Sequence, residues 1–186
     1  AGTGDEEIDA MIHEAGKLAA LLRRKRFEAG ALRLDMPEMR IITDEHGAPV
    51  DVEVETSDEA HQLVEEFMLV ANESVAHVLN AHSLPTIYRV HEAPDPAKLS
   101  ELAQELKAYG IKAGTLATRE ELNAVMDKIE GHPDEEILKV HLLRAMMRAR
   151  YSPDALGHYG LAKGDYCHFT SPIRRYADLV VHRAFS

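Results

Sequence analysis

Three groups of residues in this sequence have types and spacing that could do chemistry. The first is Thr170-Ser171-Pro172-Ile173-Arg174-Arg175-Tyr176, where two hydroxyl residues and a proline precede adjacent arginines. Thr170 or Ser171 reads as an N-cap and Pro172 as the first residue of a helix, where its missing N–H costs nothing. On that reading Arg174 and Arg175 fall in the first turn, beside backbone N–H groups that favour an anion. Two cations there oppose the helix dipole, a conflict that a bound phosphate would resolve. Asp178, four residues beyond Arg174, is placed to hold its guanidinium. The plainer alternative is that both arginines pair with carboxylates inside the domain.

The second group lies on a long helix expected from Thr56, with Glu59 at the capping-box position, to about Asn80. At 100° per residue, Leu63, Phe67, Val70, Ala71, Val75 and Val78 form its buried stripe, and Glu66, Glu73 and His77 face water. Glu65 and Asn72 are seven apart and nearly superposed, among Met68, Leu69, Ala76 and Leu79. A carboxylate and an amide in an apolar flank need partners, because burying them unpaired costs several kcal/mol. They are either a hydrogen-bonded strut between helices or a polar pair aimed at a ligand or metal. The third group, Tyr159, Tyr166, His168 and Phe169, offers flat faces for nucleobases, or else core packing.

Other chemistries find no support. The single cysteine, Cys167, allows no internal disulfide and no Cys-rich zinc site, and fits a reduced, cytoplasmic setting. The 11 histidines form no His-Glu-x-x-His pattern, and no glycine-rich phosphate loop or Gly-x-Ser-x-Gly elbow is present. No apolar run of membrane-spanning length and no signal-peptide pattern occur. The net charge of −11 argues at first against a polyanion, but its distribution is uneven. Residues 1–136 hold 13 Lys+Arg against 29 Asp+Glu, whereas residues 137–186 hold 8 against 3. The basic excess therefore sits with the arginine motif, where phosphate contact would need it.

The elements that must position these groups read as α+β, mostly helical. Apolar spacing from Ile8 to Phe27 (Ile12, Ala15, Leu18, Ala19, Leu22) predicts a helix that ends in Arg23-Arg24-Lys25-Arg26, taken as a solvated terminus. Between residues 31 and 55 the period changes to two around Asp44-Glu45-His46-Gly47, which predicts a β-hairpin. Asp95-Pro96 opens a helix that Gly110 closes, and Thr118 opens a short one with Glu121 at the capping-box position. His132-Pro133-Asp134-Glu135-Glu136 starts a helix expected to last to Arg150, with His141, Arg144 and Arg148 as a solvated basic stripe. A loop-rich stretch follows until the helix expected from Pro172, which is still in rhythm at Ser186. Such an uncapped end, like the start at residues 1–7 without methionine, reads as a piece of a longer chain.

Three stretches, in order and spacing, resemble the RNB catalytic domain of ribonucleases R and II and the eukaryotic exosome nuclease. They are Ala60-His61-Gln62-Leu63-Val64-Glu65-Glu66-Phe67-Met68-Leu69-Val70-Ala71-Asn72, Tyr88-Arg89-Val90-His91-Glu92-Ala93-Pro94, and Tyr151-Ser152-Pro153 through Gly157-His158-Tyr159-Gly160-Leu161-Ala162 to His168-Phe169-Thr170-Ser171-Pro172-Ile173-Arg174-Arg175-Tyr176. Ala177 stands where the family usually has proline. The resemblance covers about residues 17–186, the carboxy-terminal part of that domain; residues 1–16 read as a linker, a cloning remnant or an unmatched segment.

The resemblance implies a Mg²⁺-dependent 3′→5′ exoribonuclease that hydrolyses single-stranded RNA to nucleoside monophosphates by two-metal in-line displacement. It implies Arg174 at the scissile or adjacent phosphate, with Arg175 and Asp178 in support. Glu65 and Asn72 would contact the 3′-terminal nucleotide or its ribose, the doublet Glu65-Glu66 leaving that glutamate uncertain by one position. His158, Tyr166, Thr170 and Ser171 are taken as further RNA-binding residues. The family's metal-holding aspartates lie upstream, and no Asp-x-Asp-Asp cluster occurs here, so no metal ligand is assigned to this chain. The chain alone is then expected not to degrade RNA, and its parent to be monomeric. An incomplete sheet edge makes self-association of the isolated piece plausible. A non-catalytic RNA-binding scaffold, or a complementing half that lacks the aspartates, is the alternative.

Overall fold

Four helices begin where a side chain accepts the first free backbone N–H groups. The structure, a computed structural model, describes residues 4–33, 38–55 and 58–185. Asp5 caps α1 (Glu6–Glu28), accepting from the amides of Glu7 and Ile8 at 2.9 and 3.2 Å. Helix α1 therefore runs through most of residues 1–16. Asp58 caps α2 (Glu59–Ala81) through the His61 amide at 2.9 Å, while the expected cap Thr56 lies outside the described residues. Asp95 with Pro96 opens α3 (Pro96–Ala108), and Thr118 opens α4 (Arg119–Ile129). Glu121 sits at the capping-box position: its amide donates to the Thr118 hydroxyl at 3.2 Å, and its carboxylate accepts from the Ala117 amide and the Thr115 hydroxyl at 2.8 and 2.9 Å. The predicted hairpin is β1 (Glu38–Thr43) antiparallel to β2 (Pro49–Glu55), with Ile41 opposite Val52 and an irregularity after Ile42.

Two expected helices are shorter than their patterns suggested. Helix α5 (Glu135–Ala145) stops five residues before Arg150, at an extended Met146. The chain then enters β4 (Arg150–Ser152), antiparallel to β3 (Tyr88–Val90), with Arg89 opposite Tyr151. The last helix, α6 (Tyr176–Phe185), begins four residues after Pro172. The Ser171 carbonyl accepts from both the Arg174 and Arg175 amides, at 3.2 and 3.1 Å, closing a tight turn before the helix. Arg174 and Arg175 are thus on the approach to α6, not in its first turn.

The α+β fold has two cores. Leu102 and Leu106 of α3, Leu122 and Ile129 of α4, and Leu138 and Leu142 of α5 make one, with Leu32 and Leu116. Val75, Ala76 and Leu79 of α2 pack on Tyr88, Val90, Cys167 and Val181 to make the other. Each fully buried Leu or Val contributes about 1.5–3 kcal/mol. A short 3₁₀ turn, Tyr159–Leu161, links them: Gly160 carbonyl accepts from Leu32 at 2.8 Å, and His91 carbonyl from Tyr159 at 2.7 Å. Arg119 lies 4.6 Å over the Tyr159 ring from the helical side.

Helix α2 is rotated about its axis relative to its expected stripe. Glu66, Leu69, Asn72, Val75, Ala76 and Leu79 are its buried residues, whereas Val78 is 40% exposed. The burial of Glu66, expected in water, follows from Arg26 of α1, whose Nε approaches its carboxylate at 3.1 Å. Arg26 is itself buried, so the basic run at the end of α1 is partly an interhelical ion pair and not simply a solvated terminus. His141 of the expected basic stripe pairs with Glu105, and Arg148 lies beyond α5. No helix among the described residues is long and apolar enough to cross a membrane.

Candidate nucleic-acid interface

The outer flank of α2 and the loop 166–175 enclose a groove of about 640 Å³. Its walls include Val64, Glu65, Met68, Asn72, Tyr166, Arg174 and Arg175. Glu65, Asn72, Tyr166, Arg174 and Arg175, five of the nine residues given site roles from the sequence, therefore line one space. The apolar wall suits a flat base, and the charged ends suit a phosphate and a ribose.

Asn72 resolves its two readings through geometry. It is 3% exposed and uses its whole amide: Nδ2 donates to the Tyr166 hydroxyl at 3.0 Å, and Oδ1 accepts from the amides of Phe169 and Thr170 at 2.9 and 3.2 Å. It is a strut that fixes the start of the loop. Asp178 fixes the end. Fully buried, it accepts from the Ser171 amide at 2.7 Å and from Arg175 Nε and Nη2 at 2.9 Å each. The carboxylate expected to hold Arg174 thus holds its neighbour. Arg174 is exposed, and its side chain has no hydrogen-bond or ion-pair partner among the described residues.

Glu65 faces the groove, its side chain 49% exposed, with Arg23 and Arg26 no nearer than 3.8 Å. Glu66 is locked against Arg26, so the glutamate doublet is divided between the groove and the interior. Burial raises the Tyr166 phenol above its ordinary pKa, so it stays protonated and can donate into the groove. His158 lies behind Tyr166, their ring centroids 5.4 Å apart, and its Nδ1 accepts from the Leu161 amide. Burial, then the charges of His91 and Arg89, push the His158 imidazole down to about 4. His168 also falls to about 4, through burial and then Arg175 and Arg89. Thr170 and Ser171 serve the loop through their backbone amides, and the buried Thr170 hydroxyl has no partner among the described residues. Phe169 is stacked on His182 at 4.0 Å, which occupies one of its faces. Cys167 is buried and its thiol pushed up to about 12 by burial, which excludes it as a nucleophile.

Magnesium does not fit the donor set. Among the described residues no three carboxylates, histidines or cysteines gather as a metal cage. Glu65 is the sole carboxylate on the groove wall among the described residues, with Arg23 and Arg26 at 3.8 Å. What the groove can do is hold a phosphate and a nucleotide. The sequence profile of the RNB domain matches residues 2–186. The chain belongs to the RNB family.

Relatives and solved structures agree with that membership. Ribonuclease R of Aquifex aeolicus is 43% identical to this RNB segment over 168 residues, 89% of this chain and 24% of that protein. The segment therefore spans about a quarter of the length of the curated relatives it matches. Mycoplasma genitalium RNase R, solved in complex with ribose methylated single-stranded RNA, has a TM-score of 0.93 and 32% identity, over 100% of this chain and 29% of that one. Yeast Ssd1, a pseudonuclease, is similar at a TM-score of 0.58 and 29% identity, over 68% of this chain and 16% of its own. Arg89 and Tyr151, named from the sequence only within the family stretches, owe their places to each other across the β3–β4 pair, 62 positions apart.

Proposed function

We propose that this chain supplies the phosphate- and nucleotide-facing side of an active site in a hydrolytic 3′→5′ exoribonuclease. The substrate is single-stranded RNA and the product nucleoside monophosphate. The observation that carries this reading is Arg174, unpaired on a loop clamped at both ends, in one groove with Glu65 and Tyr166. A free guanidinium on a rigid support can bind a phosphate and stabilise charge that develops on it. Arg175 stays on Asp178 and keeps the loop in register, so it acts through Arg174. Glu65 can accept a hydrogen bond from a ribose hydroxyl, the group that separates RNA from DNA. Asn72, Thr170, Ser171 and Asp178 serve RNA binding by holding the loop, and His158 by supporting the Tyr166 ring.

The parent's magnesium would be held by carboxylates outside this chain. A reducing, cytoplasmic setting fits the single, buried cysteine. The likeness to a pseudonuclease favours a second reading, an RNA-binding RNB protein without catalysis. One experiment separates the two. The full-length protein is incubated with Mg²⁺ and 5′-labelled single-stranded RNA, as wild type and as Arg174→Ala. The nuclease reading expects stepwise shortening from the 3′ end, with kcat falling about 100-fold or more in the variant at unchanged unfolding temperature. RNA binding without shortening in the wild type supports the second reading. Equal turnover in the variant would remove Arg174 from the phosphate.

A further inference from the structure

Beyond the groove, one more cationic and aromatic surface lies within two ring contacts of it. Tyr166, on the groove wall, meets His168 edge to face at 6.0 Å, and His168 meets Tyr151 at 5.6 Å. The Tyr151 hydroxyl and His168 Nδ1 are hydrogen-bonded at 2.8 Å. Tyr151 is 43% exposed, and Arg89, its cross-strand partner, lies 5.0 Å over its ring. The side chain of Arg89 has no carboxylate or hydrogen-bond partner among the described residues, although Arg150 on the paired strand is held by Glu92 at 3.4 Å. In a chain with a net charge of −11, Arg89 and Arg174 keep guanidinium groups without carboxylate partners among the described residues, and both act on the His168 imidazole. A stacked guanidinium and phenol ring form the flat, cationic surface on which single-stranded nucleic acid rests without sequence preference.

We propose that Arg89, Tyr151 and His168 form a second subsite for single-stranded RNA, next to the groove. Arg89 contacts a phosphate adjoining the nucleotide held by Glu65 and Arg174, and Tyr151 stacks on the base. His168 is the positioning residue: its bond to Tyr151 and its contact with Tyr166 fix the second surface relative to the first. This subsite rests on the RNA-degrading reading above, and its test is chosen to fail separately from it.

The probe is a 5′-fluorescein-labelled single-stranded RNA of about ten nucleotides, bound to the full-length protein with divalent cations chelated. Titrations are repeated across a salt series. Arg89→Gln should weaken binding about tenfold, the effect of one charge-assisted contact. It should also reduce the log–log salt slope by about 0.7, the contribution of one phosphate on a single strand. Tyr151→Leu should weaken binding by a similar factor with the slope unchanged, because stacking releases no counterion. Unchanged affinity and slope in Arg89→Gln overturn the subsite. Should Arg89→Gln fail to fold, Tyr151→Leu decides alone, and unchanged affinity there overturns it. If Arg174→Ala abolishes turnover while both variants bind as wild type, the second subsite falls and the nuclease reading stands. If Arg174→Ala is also silent, both fall.

Discussion

At the groove, Arg175 commits its guanidinium to the buried Asp178 while Arg174 keeps its own exposed. The pair therefore divides support from contact, and variants should separate them. Arg174→Lys should not restore the turnover lost in Arg174→Ala, since a point charge cannot reproduce a planar, two-pronged phosphate contact. Restoration to within about threefold of wild type would mean that charge alone is used there. Asn72 belongs to the support. Asn72→Ala would orphan two loop amides and cost about 2–4 kcal/mol, read from denaturant unfolding of the full-length protein. Asn72→Asp keeps the acceptor for both amides and should recover most of that loss. Equal destabilisation by the two would show that the acceptor is not what matters.

Elements meet through a few buried polar contacts. Helices α1 and α2 are joined by Arg26 and Glu66, 8% and 2% exposed. Removing one partner strands the other charge, so Glu66→Ala should destabilise by about 3–5 kcal/mol. The double change Arg26→Met with Glu66→Leu should recover most of this, because packed apolar residues need no partner. Thermal midpoints of the single and double variants check the pair, and an additive double variant would show that the two do not interact. This contact also explains why the expected stripe of α2 was rotated. Periodicity ranks Glu66 as a solvent residue, and only an arginine 40 positions earlier reverses that ranking.

Over the whole molecule, His158 and His168 both titrate near 4 against an ordinary 6.5. The fold refuses protons that the unfolded chain takes up between about 6.5 and 4. Stability should therefore be flat above about pH 7 and fall as pH drops through that window. Unfolding midpoints between pH 4.5 and 8 test this, and a midpoint that rises on acidification would contradict the assignment. The groove brings Glu65, Tyr166 and Arg174 together, and no metal cage occurs among the described residues. The isolated 186-residue chain, given Mg²⁺, is accordingly expected to release no nucleoside monophosphate from single-stranded RNA. Detection of that product would show that the chain carries a complete site.

Local chemistry determined much of this protein before any contact was known. The Asp95 cap with Pro96 and the Gly110 stop set α3, the Thr118 cap set the start of α4, alternating residues set the β1–β2 hairpin, and the motif from His158 to Tyr176 set the family. Each depends on neighbours a few positions apart, which the sequence displays directly. Tertiary structure decided the rest. It turned Glu66 inward and Glu65 outward, moved the start of α6 from Pro172 to Tyr176, and gave Asp178 to Arg175 in place of Arg174. It also paired β3 with β4, three-residue strands too short to announce themselves by pattern. For the two glutamates and for β3–β4 the deciding partner lies in another element; for α6 and Asp178 it is the turn at Ser171, whose loop Asn72 of α2 holds. Burial of a charge, unlike a helix cap, can be judged only once its counter-charge is placed.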